Sequence, residues 1–208
     1  MSSTRCVDTI SFLELPLEMK KEIVSHLPYE GVVAVFTTNS YLAKICNTRS
    51  FWQDLLLLGA KTEIDPLSSP RSLFYIRDKD RYLVMFKYKN KKRLKFTVDN
   101  EEDLGVVIVI ICVYYSNVNH VKTKFRITKP DGVIMSPPEI CERIYNYHTY
   151  PLLNNGSFVV VYYKQEGEED PMRKISFIDR FKSCDYKIHI KRILTYMGAT
   201  NISIKHVA

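Results

Sequence analysis

Glycine is scarce, with 7 in 208 residues, so there is little material for flexible linkers or for a Gly-rich phosphate loop. No apolar run is long enough to cross a bilayer. The longest, residues 106–115, has ten residues, against the about 20 that a spanning helix needs. It reads as a buried central strand. The opening MSSTRCVDTI lacks the apolar stretch of a secretory leader, so export is not expected, and the sequons at Asn155 and Asn201 are not expected to be used. Five cysteines stand at Cys6, Cys46, Cys112, Cys141 and Cys184 with no C-x-x-C spacing. An odd, scattered set fits reduced thiols in an intracellular setting, cytoplasmic or nuclear. No HExxH, GxSxG or Walker loop occurs, and the five histidines are dispersed. Neither a metal site nor a cofactor is expected from that spacing. No internal repeat is visible, and a seven-bladed propeller at about 40 residues per blade would need a longer chain.

What is present is globular usage: 46% apolar and 25% charged residues. The length suits one mid-sized domain or two small ones. The net charge of +7 is uneven: residues 1–70 hold six Lys/Arg against eight Asp/Glu, and residues 71–208 hold 24 against 15. The Pro/Ser-rich DPLSSPRS, residues 65–72, reads as part of a linker over residues 61–71.

Helical signals fill residues 10–60. Pro16 suits a first helical position and Glu18 the positive end of the helix dipole. Met19, Ile23 and Leu27 follow at i, i+4 and i+8 as an apolar stripe, with Lys20, Lys21 and Glu22 facing away. Pro28 ends this helix and opens one crowded with Val32, Val33, Val35 and Phe36. TTNS, residues 37–40, makes a break. Ser50 is placed to cap a last short helix holding Phe51, Trp52, Leu55 and Leu56, closed by Gly59.

The ordered set Leu15-Pro16, Glu18, Ile23, Leu27-Pro28, Val32-Val33, Asn39-Ser40 and Phe51-Trp52 resembles the F-box. The match covers about 40 residues without gaps and departs at Gly31 and at Thr37-Thr38. The resemblance implies a three-helix module that docks on the small adaptor of a cullin–RING (SCF-type) ubiquitin ligase while the rest of the chain presents a target protein. By the same resemblance Leu15, Pro16, Glu18, Ile23, Leu27, Pro28, Val32, Val33, Trp52 and Leu56 are the adaptor-binding candidates. So small a bundle cannot bury all of them, and an exposed apolar patch marks an interface.

From residue 71 the period changes to two. Tyr82, Val84, Phe86 and Tyr88 alternate, as do Val121, Thr123, Phe125 and Ile127. Residues 158–163 read as a central strand. Asn155-Gly156 signals a hairpin and Pro130-Asp131-Gly132 a turn. Tyr186, Ile188 and Ile190 alternate again, and residues 202–207 are expected to close the sheet. Ser136-Pro137-Pro138-Glu139 is a capping box before a helix carrying Ile140, Cys141, Ile144, Tyr147 and His148 on one face. Residues 173–182 fit either a helix or a strand. The expected fold is α+β: a three-helix F-box-like bundle over residues 10–60, then a β-rich, sandwich-like domain over residues 72–208 with one or two helices.

No catalytic set emerges. Cys141 and His148 lie two helical turns apart, about 10 Å, and Cys184 and His189 fall on opposite faces if their stretch is a strand. The acidic runs 99–103 and 166–170 read as solvated loops without calcium-ligand spacing. The run KYKNKKRLK, residues 87–95, carries six cations. It reads as a hairpin tip turning at Asn90, with lysines protecting an edge. The alternative is contact with nucleic acid or another anionic surface through Lys91, Lys92 and Arg93. The expected role is therefore a protein-interaction adaptor and not an enzyme: the substrate-recognition subunit of a ubiquitin ligase. The alternative is a non-catalytic structural or host-interaction protein, such as a virion component, because the Lys, Ile, Tyr and Asn richness resembles proteins of large DNA viruses with AT-rich genomes.

Overall fold

A computed structural model describes residues 11–59, 68–88, 90–117, 124–144, 158–165, 173–178 and 185–207. The chain is a mixture of helix and antiparallel sheet, an α+β protein. It divides into two compact units, Met1–Asp78 and Lys79–Ala208.

In the first unit a 3-10 turn, Phe12–Glu14, leads into α1 (Leu17–Ser25), α2 (Tyr29–Thr37), α3 (Ser40–Cys46), α4 (Arg49–Gly59) and α5 (Pro70–Asp78). Five helices stand where a three-helix bundle was expected. The TTNS break separates α2 from α3 by supplying a cap: the Asn39 side chain accepts from the N–H of Tyr41 at 2.9 Å and of Leu42 at 3.3 Å. At α4 the capping oxygen is that of Thr48, which accepts from Phe51 N–H at 3.4 Å, and not that of Ser50. The expected linker ends in a helix. Pro70 takes the first position of α5, and Leu73, Phe74 and Ile76 are buried. Helix α5 thus belongs to the first unit, and the division falls after Asp78 and not near Ser72.

The second unit holds two three-stranded antiparallel sheets. One has the order β2-β1-β3, with β1 (Tyr82–Lys87), β2 (Leu94–Val98) and β3 (Lys124–Thr128). The other has the order β5-β4-β6, with β4 (Phe158–Gln165), β5 (Arg173–Ile178) and β6 (Ala199–Val207). The strands expected at 82–88, in 121–127, at 158–163 and at 202–207 are present, and 173–178 resolves as a strand. Asn201, with φ 51°, sits where β6 carries an extra residue against β4, between the Tyr162↔Ser203 and Lys164↔Thr200 pairs. The Pro130-Asp131-Gly132 turn forms, with Gly132 at φ 87° donating to Lys129 O at 2.9 Å. The Asn155-Gly156 hairpin, the 166–170 run, Tyr147, His148 and Cys184 lie outside the described residues.

The main correction concerns residues 106–115, which are not a strand. They belong to α6 (Glu101–Asn117). Leu104 and Val106 through Ile110 have 0% exposure and Ile111 has 1%, so the helix is buried on all sides. The valines and isoleucines favour strands intrinsically, but burial overrides that preference. The start of the helix is written in the run read as a solvated loop. Asn100 Oδ1 accepts from Asp103 N–H at 2.7 Å, and Asp103 itself is buried. The stretch at Tyr186–Ile190 is also helical, within α8 (Asp185–Tyr196). Its buried set Tyr186, Ile190, Ile193, Leu194 and Met197 has helical spacing. The core therefore has α6 at its centre, packed by α7 (Pro137–Ile144), α8, β5 and β2, where a sandwich would bring two sheets face to face.

Both helix starts are open to test. Asn100→Ala removes the cap of α6 and should cost about 0.5–2 kcal/mol in denaturant melts; no effect would contradict a helix beginning there. At α7 the Glu139 carboxylate accepts from Ser136 N–H at 2.7 Å, from the Ser136 hydroxyl at 2.8 Å and from Lys129 at 3.3 Å. The Ser136 backbone N–H bond first, then the other two, draw its pKa down to about 2. The folded value lies below the unfolded one, so the contribution is present above pH 4.5 and fades as the pH falls toward about 2. Glu139→Gln should flatten the acid limb of stability in that window; an unchanged acid profile would count against the box.

Candidate functional site

The first unit is built around Trp52 on α4. The indole is 2% exposed and donates from Nε1 to Cys46 O at 2.6 Å. Tyr29 stacks on it at a centroid distance of 5.5 Å, and Phe74 of α5 lies at 5.6 Å. Arg71 of α5 places its guanidinium 5.3 Å from the indole and 5.6 Å from the Tyr29 ring, and its Nε donates to Tyr29 Oη at 2.8 Å. This cation–π clamp ties α5 to α2 and α4. Burial raises the nearby Cys46 thiol above its ordinary pKa, with the charge of Arg71 opposing. No sequence pattern singles out Tyr29 or Arg71, because the Pro/Ser-rich stretch around Arg71 reads as linker.

The adaptor-binding candidates separate into two groups. Val32, Trp52 and Leu56 are buried, at 0%, 2% and 5% exposure, and act as core residues in this unit. Leu15, Leu27 and Val33 are half-buried, while Pro16, Glu18, Ile23 and Pro28 are exposed. The structure brings Pro16, Met19 and Ile23 together at i, i+3 and i+7 along one side of α1, with Leu27 just beyond its end.

The inward face of α1 is the reverse of the expected one. Lys20 and Val24 are buried, while Met19 is 51% and Ile23 46% exposed. Lys20 lays its aliphatic stem inside and donates from Nζ to Leu13 O at 2.8 Å. Lys21 pairs with Asp54 of α4 at 2.5 Å. With these two contacts on the other side of the helix, its apolar stripe faces solvent, and Leu13 in the preceding turn is also exposed, at 53%.

Elsewhere the expected basic hairpin is formed. The turn between β1 and β2 closes with Phe86 opposite Leu94, and Lys91, Lys92 and Arg93 are exposed. Cys141 is exposed on α7, and His189 lies on α8. Among the described residues no group of three or more His, Cys, Asp or Glu is placed to hold a metal ion, and no helix is long and apolar enough to cross a membrane.

The separation of the candidates gives a stability test. Trp52→Ala should cost about 3–5 kcal/mol and Ile23→Ala no more than about 0.5 kcal/mol, compared by chemical denaturation. Equal costs would contradict the division into core and surface. Comparison of the chain with protein-family models, with curated proteins and with solved structures gives no match.

Proposed function

We propose that this chain is a non-catalytic interaction adaptor. Its helical unit docks through α1 on the small adaptor of a cullin–RING ubiquitin ligase, and residues 79–208 receive a target protein. The observation that carries this reading is the aliphatic stripe of Met19 and Ile23, left in solvent while a lysine occupies the inward face. A helix whose apolar stripe points outward gains stability only when a partner covers it. The F-box resemblance supplies the kind of partner, since that family meets its adaptor through the segment beginning at Leu15-Pro16. Buried aliphatic and aromatic anchors dominate such contacts. With Val32, Trp52 and Leu56 in the core, the docking candidates narrow to Leu15, Pro16, Glu18, Ile23, Val33 and the Leu27-Pro28 corner, joined by the exposed Met19.

The test is affinity capture of the ligase adaptor and cullin, followed by binding measured with purified adaptor. Met19→Glu with Ile23→Glu changes exposed positions, so folding stability should move by no more than about 0.5 kcal/mol per site. Adaptor affinity should fall at least about tenfold, equivalent to about 1.4 kcal/mol. Paired Leu15→Ala and Pro16→Ala should weaken binding in the same direction. If the wild-type chain does not bind the adaptor at micromolar concentration, the ligase reading falls and the structural or host-interaction role takes its place.

A further inference from the structure

We propose that the tip of the β1–β2 hairpin and the outer side of α8 form one cationic surface that binds the phosphate backbone of nucleic acid without reading its sequence. The two segments are far apart in the chain and are tied together by Tyr196, the last residue of α8. Its hydroxyl donates to Lys92 O at 2.6 Å and accepts from Tyr88 N–H at 3.2 Å. Lys91 Nζ donates to Tyr196 O at 2.9 Å, a lysine at the negative end of a helix dipole. One turn back, the Arg192 guanidinium lies 5.3 Å from the Phe96 ring of β2, and the His189 ring stacks on the same phenylalanine at 5.4 Å. The hairpin tip is thereby held against the helix and is not a loose solvated turn.

The segments tied at this junction carry Lys92 and Arg93 on the hairpin and Lys191 and Arg192 on the helix, all four exposed. Countercharge is sparse in the contributing segments: residues 81–98 contain no Asp or Glu, and α8 carries a single acid, Asp185, at its first position. Lys91 is engaged with the helix end, so it positions the tip, while Lys92, Arg93 and Lys191 are exposed and Arg192 stays exposed with its guanidinium against the Phe96 ring. A concentration of fixed cations attracts a polyanion and releases its counterions on binding. A lipid surface fits less well. An interfacial helix presents a band of large apolar side chains, whereas Ile188, at 64% exposure, is the single large hydrophobic exposed on α8 among the described residues.

The experiment uses the full chain and fluorescence anisotropy with mixed-sequence duplex DNA, single-stranded DNA and single-stranded RNA over a range of salt. Vesicles rich in phosphatidylserine form a separate arm. Wild-type protein should bind nucleic acid with an affinity that falls steeply with salt. The variant Lys92→Glu, Arg93→Glu, Lys191→Glu and Arg192→Glu should lose at least about tenfold in affinity. Its log-log salt slope on duplex should shrink by about 3–4, at about 0.9 for each phosphate no longer neutralised. The matching four-glutamine variant should show the same loss of slope and serves if the glutamate variant melts early. Lys44→Glu with Arg49→Glu, exposed cations of the other unit, should change nothing. The proposal is overturned if wild-type protein fails to bind any nucleic acid at micromolar concentration in low salt. Unchanged binding by the glutamine variant, or capture by vesicles alone, overturns it as well.

Discussion

A helix that is apolar on every side has to be covered on every side, and this constraint organises the second unit. Residues 104–111 leave no solvated stripe on α6, so no single sheet or helix suffices as a partner. Strands β2 and β5, one from each three-stranded sheet, and the helices α7 and α8 supply the cover. The polar start of α6 is held by contacts at its first turn. Tyr82 Oη donates to Glu101 at 2.8 Å, Arg143 of α7 pairs with the same carboxylate at 3.0 Å, and Asn100 closes the first turn. Burial, followed by the Glu101 contact, pushes the Tyr82 phenol up to about 12. At the other end of the buried stretch, burial lifts the Cys112 thiol to about 11, which keeps it a thiol and a packing element near neutral pH.

The helical unit solves the opposite problem. Its helices are short, from 7 to 11 residues, and such lengths are marginal in water without tertiary support. The support comes from a side-chain cluster at Trp52 and from α5, whose arginine completes the ring cluster from outside. With the interior filled from α2, α4 and α5, little apolar surface of α1 is needed within. A lysine stem and one valine serve for its inner side, and Met19 and Ile23 stay exposed.

How much of this was legible in the residues depended on whether local pattern and global burial agreed. β1, β3 and the turn at Gly132 could be read, because alternation and turn chemistry specify them locally, and β4 was read from a short apolar run of strand length. α6 could not be told from a central strand by periodicity, since a continuous apolar run carries no period. Its length and the Asn100-x-x-Asp103 start were the available signals. In α8 the alternation of Tyr186, Ile188 and Ile190 covered too short a window. Extending it to Ile193, Leu194 and Met197 restores the helical spacing. On α1 the stripe itself was visible in the sequence, but its direction was not. Which side faces inward was decided by the Lys20–Leu13 and Lys21–Asp54 contacts, and a lysine in an inward position runs against the usual ranking of buried residues. The same reasoning explains why α5 was missed: its anchors are contacts with aromatic residues far earlier in the chain, Tyr29 and Trp52.

Trp52 is the only tryptophan among 208 residues, and it sits in the interior of the first unit. The chain therefore carries a built-in optical label confined to one of its two units. Emission excited selectively from the indole reports the local polarity and order of the helical unit alone, while far-ultraviolet dichroism sums over both. If the two signals lose structure at different denaturant concentrations, the units unfold independently. A single shared transition would mean that they are thermodynamically coupled.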